Sequence, residues 1–189
     1  IDAHERLGDY RARKIVALFP HHPERDQNMK LFQRIRDGVE QYLWIQTVTG
    51  LMIAVAAIAS AYVRGLEGSG VGATLKHFPG IGRVRDDTHH FAARLDAPVR
   101  ELEATDWRPF REVLSTSRSA LMVGHVTLTA VDPERAASHS KRVVDGILRD
   151  KWGYQGVVMT DDLVMGAIYQ HDVCKAVTEA INAGVDLLL

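Results

Sequence analysis

Apolar and polar positions fall into three regimes along the chain. Between residues 26 and 40, Met29, Phe32, Ile35 and Val39 recur at the 3.6-residue spacing of an amphipathic helix, with Asp26 placed as its N-cap. From residue 41 to residue 63 there is no Asp, Glu, Lys or Arg, and the run is mostly apolar. It is long enough to cross a bilayer, which needs about 20 such residues. Beyond it, short β-branched or apolar runs at 71–77, 121–126, 157–160 and 185–189 alternate with helical patterns at 98–116, 141–152 and 171–183. Gly153 and Gly184 fall where those helices should stop. Strands alternating with helices predict parallel βα units, whose chemistry gathers at the C-terminal ends of the strands. His77, His125 and Asp161 all fall at such ends.

The uncharged run has two readings. Tyr42, Trp44 and Tyr62 near its ends suit a membrane interface, and the basic stretch before it, including Arg11, Arg13, Lys14, Lys30, Arg34 and Arg36, suits a cytoplasmic flank. Gln46, Thr47, Thr49, Gly50 and Ser60 weaken insertion. A helix covering the βα units is therefore the favoured expectation, and membrane contact through residues 41–63 the alternative.

Chemistry concentrates in residues 76–90, where Lys76, His77, Asp86, Asp87, His89 and His90 surround the turn formers Pro79, Gly80 and Gly82. In an extended Asp87-Thr88-His89 segment, side chains at i and i+2 share a face, so Asp87 can orient the His89 ring for proton transfer near neutral pH. The His and Asp residues could also ligate a divalent ion, but no His-Glu-x-x-His spacing is present, and neither metal nor cofactor is expected.

At 189 residues, 46% hydrophobic and 25% charged, the composition is that of a globular domain. A net charge of −1 gives no long-range attraction to nucleic acid. The single cysteine, Cys174, excludes an internal disulfide framework, fits a reducing compartment and reads as structural. The first residues show no signal-peptide pattern, and a start at Ile1 suggests a fragment.

Lys76-His77-Phe78-Pro79-Gly80 followed by Asp87-Thr88-His89 resembles the signature loop of family 3 glycoside hydrolases, in the β-N-acetylglucosaminidase branch whose acid/base is a histidine paired with an aspartate. The stretch from Gly156 to Met165 is similar to that family's strand bearing the nucleophilic aspartate, which places Asp161 at the matching position. Ala120-Leu121-Met122-Val123-Gly124-His125-Val126 is similar to the strand between them. Many members have His where this chain has Ile81. Residues 55–66 are similar to the helix before the signature loop, whereas residues 9–53 resemble a segment of the autoinducer-exporter-like permease family.

The resemblance implies an α/β fold, the C-terminal half of a (β/α)8 TIM-type barrel with four βα units over residues 55–189, behind a helical segment over 1–54. It implies a cytoplasmic retaining hydrolase of β-linked N-acetylglucosamine, with substrates of the peptidoglycan-fragment type and a place in peptidoglycan recycling. Asp161 becomes the nucleophile and His89 the acid/base oriented by Asp87. Lys76, His77 and His125 become substrate contacts, although His125 reads equally as a satisfied core histidine, and Asp162 as a loop-amide partner. Two other classes stay open: a membrane-associated or structural fragment with no turnover, and a carbohydrate-binding half-barrel. Open sheet edges predict homo-oligomers.

Overall fold

Helix α1 (Arg25–Gly68) contains no proline, so nothing in its 44 residues interrupts the backbone ladder. The computed structural model describes residues 25–169 and 172–189; the Arg11, Arg13 and Lys14 cluster and His171 lie outside them. Asp26 lies inside α1. The helix stops where Gly70 takes φ 76° and the Val71 amide turns back to Leu66 O.

Two units divide between residues 50 and 51. In Ile1–Gly50, the predicted stripe is helical, with Phe32, Ile35 and Val39 exposed. Thr47 Oγ1 donates to Leu43 O at 2.8 Å, so this hydroxyl is satisfied within the helix. In Leu51–Leu189, Ala56 and Val63 are buried, whereas Ile53, Ile58 and Tyr62 remain exposed. Met29–Gly68 is long and apolar enough to cross a membrane.

The βα array occupies the second unit. Strands β1 (Thr74–Phe78), β3 (Ala120–Val123) and β5 (Val158–Thr160) form a parallel sheet in the order β1-β3-β5. The predicted strand at 185–189 contributes one parallel bridge, Leu187 to Met159, reinforced by Thr160 N–H to Leu187 O at 3.0 Å. A second parallel pair joins β2 (Ala93–Leu95), absent from the apolar pattern, to β4 (Val126–Leu128): the single run expected at 121–126 ends as β3 at Val123, and its last residue, Val126, opens β4.

The helix expected over 98–116 is two: α2 (Val99–Ala104) and α3 (Arg108–Leu114). Pro109 sits in the first turn of α3, where its missing N–H costs nothing, and the chain breaks just before it. α4 (Lys141–Val143) runs into a π-type helix (Val144–Lys151), which buries Val144, Ile147 and Leu148. A short α5 (Gly166–Tyr169) precedes α6 (Val173–Ala183). Asp172 caps α6 by accepting the Cys174 amide, and Gly184 ends it at φ 97°. Gly153, at φ 65°, follows the π-type helix as expected. Cys174 is exposed, so it does not pack the core.

Phe78, the last residue of β1, packs its ring against Trp107, Phe110 and Trp152 with centroids 5.3–5.7 Å away. Trp107 is fully buried, and its Nε1–H donates to Pro79 O at 3.0 Å. The aromatic core thus grips the start of the loop that leaves β1. After β4 the chain buries a polar segment. Asp132 accepts from Ser140 Oγ (2.7 Å) and the Glu134 amide (3.2 Å), holding a 3-10 turn (Ala137–His139) inside the fold.

Candidate active site

Three adjacent parallel strands deliver side chains to one end of the sheet. β1 presents His77 just before its end, β3 runs into Gly124 and His125, and β5 runs into Asp161 and Asp162. His77 Nε2 lies 3.5 Å from Asp161 Oδ2, with both side chains largely shielded from solvent. Gly124 permits the approach of β3 to β1: a Cβ there would sit 3.3 Å from the His77 Cβ. The His77 pKa is lowered from 6.5, chiefly by burial; the Asp161 charge opposes that shift, and the Lys76 and His89 charges assist it. Lys76 is exposed, and its charge reaches His77.

Asp161 is held at both ends. Its amide donates to Val123 O (3.0 Å) and its Oδ1 accepts the Asp162 amide (3.0 Å). Asp162 Oδ1 accepts the Val164 amide at 2.9 Å, so Asp162 is the expected loop-amide partner.

Asp87 and His89 do meet, by a different geometry from the extended one expected. Residues 87–90 form a turn in which Asp87 Oδ1 accepts both the His89 backbone N–H (3.0 Å) and its ring Nδ1–H (2.7 Å), while Asp87 O accepts from the His90 and Phe91 amides. An aspartate two residues before the amide it caps favours this turn over a strand. Both side chains are well exposed. The His89 amide, then the His89 ring, hold the Asp87 carboxyl below its usual pKa of 3.8. With Nδ1 bonded, His89 Nε2 is left to face solvent.

The turn is fastened beside the Asp161 segment. The Gly166 amide donates to His89 O at 2.7 Å, and a Cβ at Gly166 would fall 2.6 Å from His90 O and 2.8 Å from His89 O. Only glycine allows this approach. Sequence reasoning missed Gly166; a glycine shortly after the strand-end Asp-Asp pair was the signal available.

His125 is 2% exposed, and both ring nitrogens are engaged: Nδ1 with Ser138 Oγ (2.8 Å), Nε2 with Asp162 O (2.9 Å). Burial lowers its pKa from 6.5, against the pull of the Asp162 carbonyl and the Asp161 charge. Arg83 belongs to the scaffold, pairing with Glu101 and with Asp106 (3.0 Å). Among the described residues, no three His, Cys, Asp or Glu side chains gather to hold a metal ion. A cavity of about 1070 Å³ is lined by Ser117, Ser119, Trp152 and Gly156, residues that precede β3 and β5. It shares no residue with this site; the chemistry, not the cavity size, marks the functional end.

A parallel βα array with a carboxylate and imidazoles at its strand ends defines a partial α/β barrel of the TIM type. Residues 52–189 match the model of the glycosyl hydrolase family 3 N-terminal domain, and the chain belongs to that family. It is 40% identical over 136 residues to a beta-hexosaminidase of Xanthomonas oryzae pv. oryzae and 41% identical over 136 residues to one of Stenotrophomonas maltophilia, covering 71% of this chain in each case. The chain spans about 40% of the length of each of these relatives. A glycoside hydrolase family 3 beta-N-acetylglucosaminidase from a Paenibacillus species superposes with a TM-score of 0.68 at 38% identity, covering 71% of this chain and 26% of that one. The family match begins at residue 52, so the permease-like stretch at 9–53 draws no support from it.

Proposed function

We propose that this chain carries the catalytic half of a retaining β-N-acetylglucosaminidase, acting in the cytoplasm on peptidoglycan-fragment substrates that end in N-acetylglucosamine. The observation that carries the reading is the Gly166–His89 hydrogen bond, which fastens the Asp87–His89 pair beside the segment that starts at Asp161. In a retaining reaction a carboxylate attacks the anomeric carbon while an acid protonates the departing oxygen; the resulting ester is then hydrolysed. Asp161, fixed by two backbone bonds, is the nucleophile. Protonated at both ring nitrogens, His89 gives its Nε2 proton to the leaving oxygen and later takes one back at Nε2 from water, while its Nδ1–H stays bonded to Asp87 through both steps and holds the ring in place. Lys76 and His77 contact sugar hydroxyls, with His77 neutral near pH 7.

Hydrolysis of a nitrophenyl N-acetylglucosaminide and of a natural disaccharide by this chain tests the assignment. Asp161→Ala abolishes turnover on both. His89→Ala slows the disaccharide far more than the phenol, which needs little protonation, by about 10² to 10⁴. A fluorinated analogue labels Asp161; a label elsewhere, or no label and no turnover, overturns the reading. Because the chain covers about 40% of its relatives, sugar binding without turnover is the second reading, and calorimetric titration with N-acetylglucosamine identifies it.

A further inference from the structure

The catalytic reading leaves three buried side chains unused: His125, Ser138 and His139. They are joined. Ser138 Oγ lies 2.8 Å from His125 Nδ1 and 2.8 Å from His139 Nδ1, and His125 Nε2 lies 2.9 Å from Asp162 O. A carbonyl oxygen can only accept, so His125 Nε2 must carry a proton. In a neutral ring Nδ1 is then an acceptor, and it takes the one proton that Ser138 Oγ has to give. The serine oxygen must in turn accept from His139 Nδ1–H. One carbonyl therefore fixes the direction of the whole chain of bonds. The reverse direction would put protons on both nitrogens of His125 and so bury an imidazolium at 2% exposure.

We propose that His125 is a positioning residue, which locks the turn carrying Asp161 through a one-way relay from His139 to Ser138 to His125 to the Asp162 carbonyl. The proposal rests on the reading of Asp161 as nucleophile. Asp162 is the next residue, and its own amide holds Asp161 Oδ1, so a displaced Asp162 peptide moves the attacking carboxylate. The relay is itself rigid, because Ser138 and His139 lie on the 3-10 turn held by the Asp132 bonds. Burial favours the neutral ring, although Asp161 and Asp162 act the other way. Glu134, Arg135, Lys175 and Glu179 line the cavity of about 360 Å³ that His125 and His139 border. A neutral His125 engaged at both nitrogens has no donor or acceptor left for a sugar hydroxyl, so the substrate role expected of it gives way to this one.

The test is histidine ¹⁵N NMR on the full chain without substrate. His125 is expected in the Nε2–H tautomer and His139 in the Nδ1–H tautomer at neutral pH. Ser138→Ala is expected to shift the amide signals of residues 161–164 and leave those of α3, which does not pack on the 3-10 turn, in place, with Ser138→Thr restoring them. An imidazolium or an Nδ1–H tautomer at His125 overturns the proposal even if the variant does not fold; so do unmoved 161–164 amides in a folded variant. On substrate, Ser138→Ala lowers kcat by up to about 100-fold with KM unchanged, as small misplacements of reacting groups do. The spectra need no turnover, so an inactive chain counts against the nucleophile reading alone.

Discussion

His77 and His125 stand at the same end of the sheet, and burial lowers both imidazole pKa values from 6.5. A histidine that resists protonation only when folded makes stability depend on pH. Above 6.5 both folded and unfolded chains hold these rings neutral and the stability is fully present; as pH falls below it, the unfolded chain takes up protons that the folded one refuses. The melting midpoint is therefore expected to drop between about pH 7.5 and about pH 5.5, and a flat profile refutes this. Asp87 behaves in the opposite range. Its depressed pKa means that the contact with His89 survives down to pH values below 3.8 and is lost only as pH falls through the lowered value. A loss of stability on mild acidification therefore belongs to His77 and His125 and not to Asp87.

Loop-to-loop closure in this fold depends on glycines that face backbone. Gly166→Ala would drive a methyl group to within 2.6 Å of His90 O, and neither partner is a flexible side-chain tip. The expected result is a displaced 87–90 turn, at least a tenfold fall in kcat and a stability loss of about 1–3 kcal/mol. Gly146→Ala is the control, because nothing lies within 4 Å of its Cβ position and it sits in a helix; it should leave kcat unchanged and add a few tenths to about 1 kcal/mol of stability. Hydrogen exchange at residues 87–90 and thermal melts check both. Equal kcat for Gly166→Ala and the parent would sink the argument.

Other elements show what sequence could and could not reveal. β1, β3 and β5 were readable because apolar runs end in Pro-Gly, Gly-His and Asp-Asp, and α6 because a periodic run ends at Gly184. β2 and β4 have three residues each, too few for a period-2 signal, and they exist through pairing with each other. The Asp87–His89 contact was foreseen from residue types, but its turn geometry depends on which amide the carboxylate caps. The His125–Ser138–His139 chain had no local signal, since it joins residues 13 apart through a buried turn.

The sheet is open among the described residues. β1 pairs with β3 and with no other strand, and the far side ends in the bridge at Leu187. Val71, Leu187 and Leu189 near those edges are exposed. An unpaired parallel edge offers a row of backbone donors and acceptors to another chain, and a second copy could supply it with no new chemistry. We propose that the chain associates through these edges and works outside the bilayer. α1 is long and apolar enough to span, but its uncharged run carries Gln46, Thr47, Thr49, Gly50 and Ser60, which weaken insertion. In detergent-free buffer the protein should stay in the supernatant after high-speed centrifugation, and light scattering should give a mass that rises with concentration. Leu187→Lys, which places a charge on the edge, should shift that mass toward the monomer. Recovery only in carbonate-resistant membranes refutes the location, and a monomer stable at high concentration refutes the pairing.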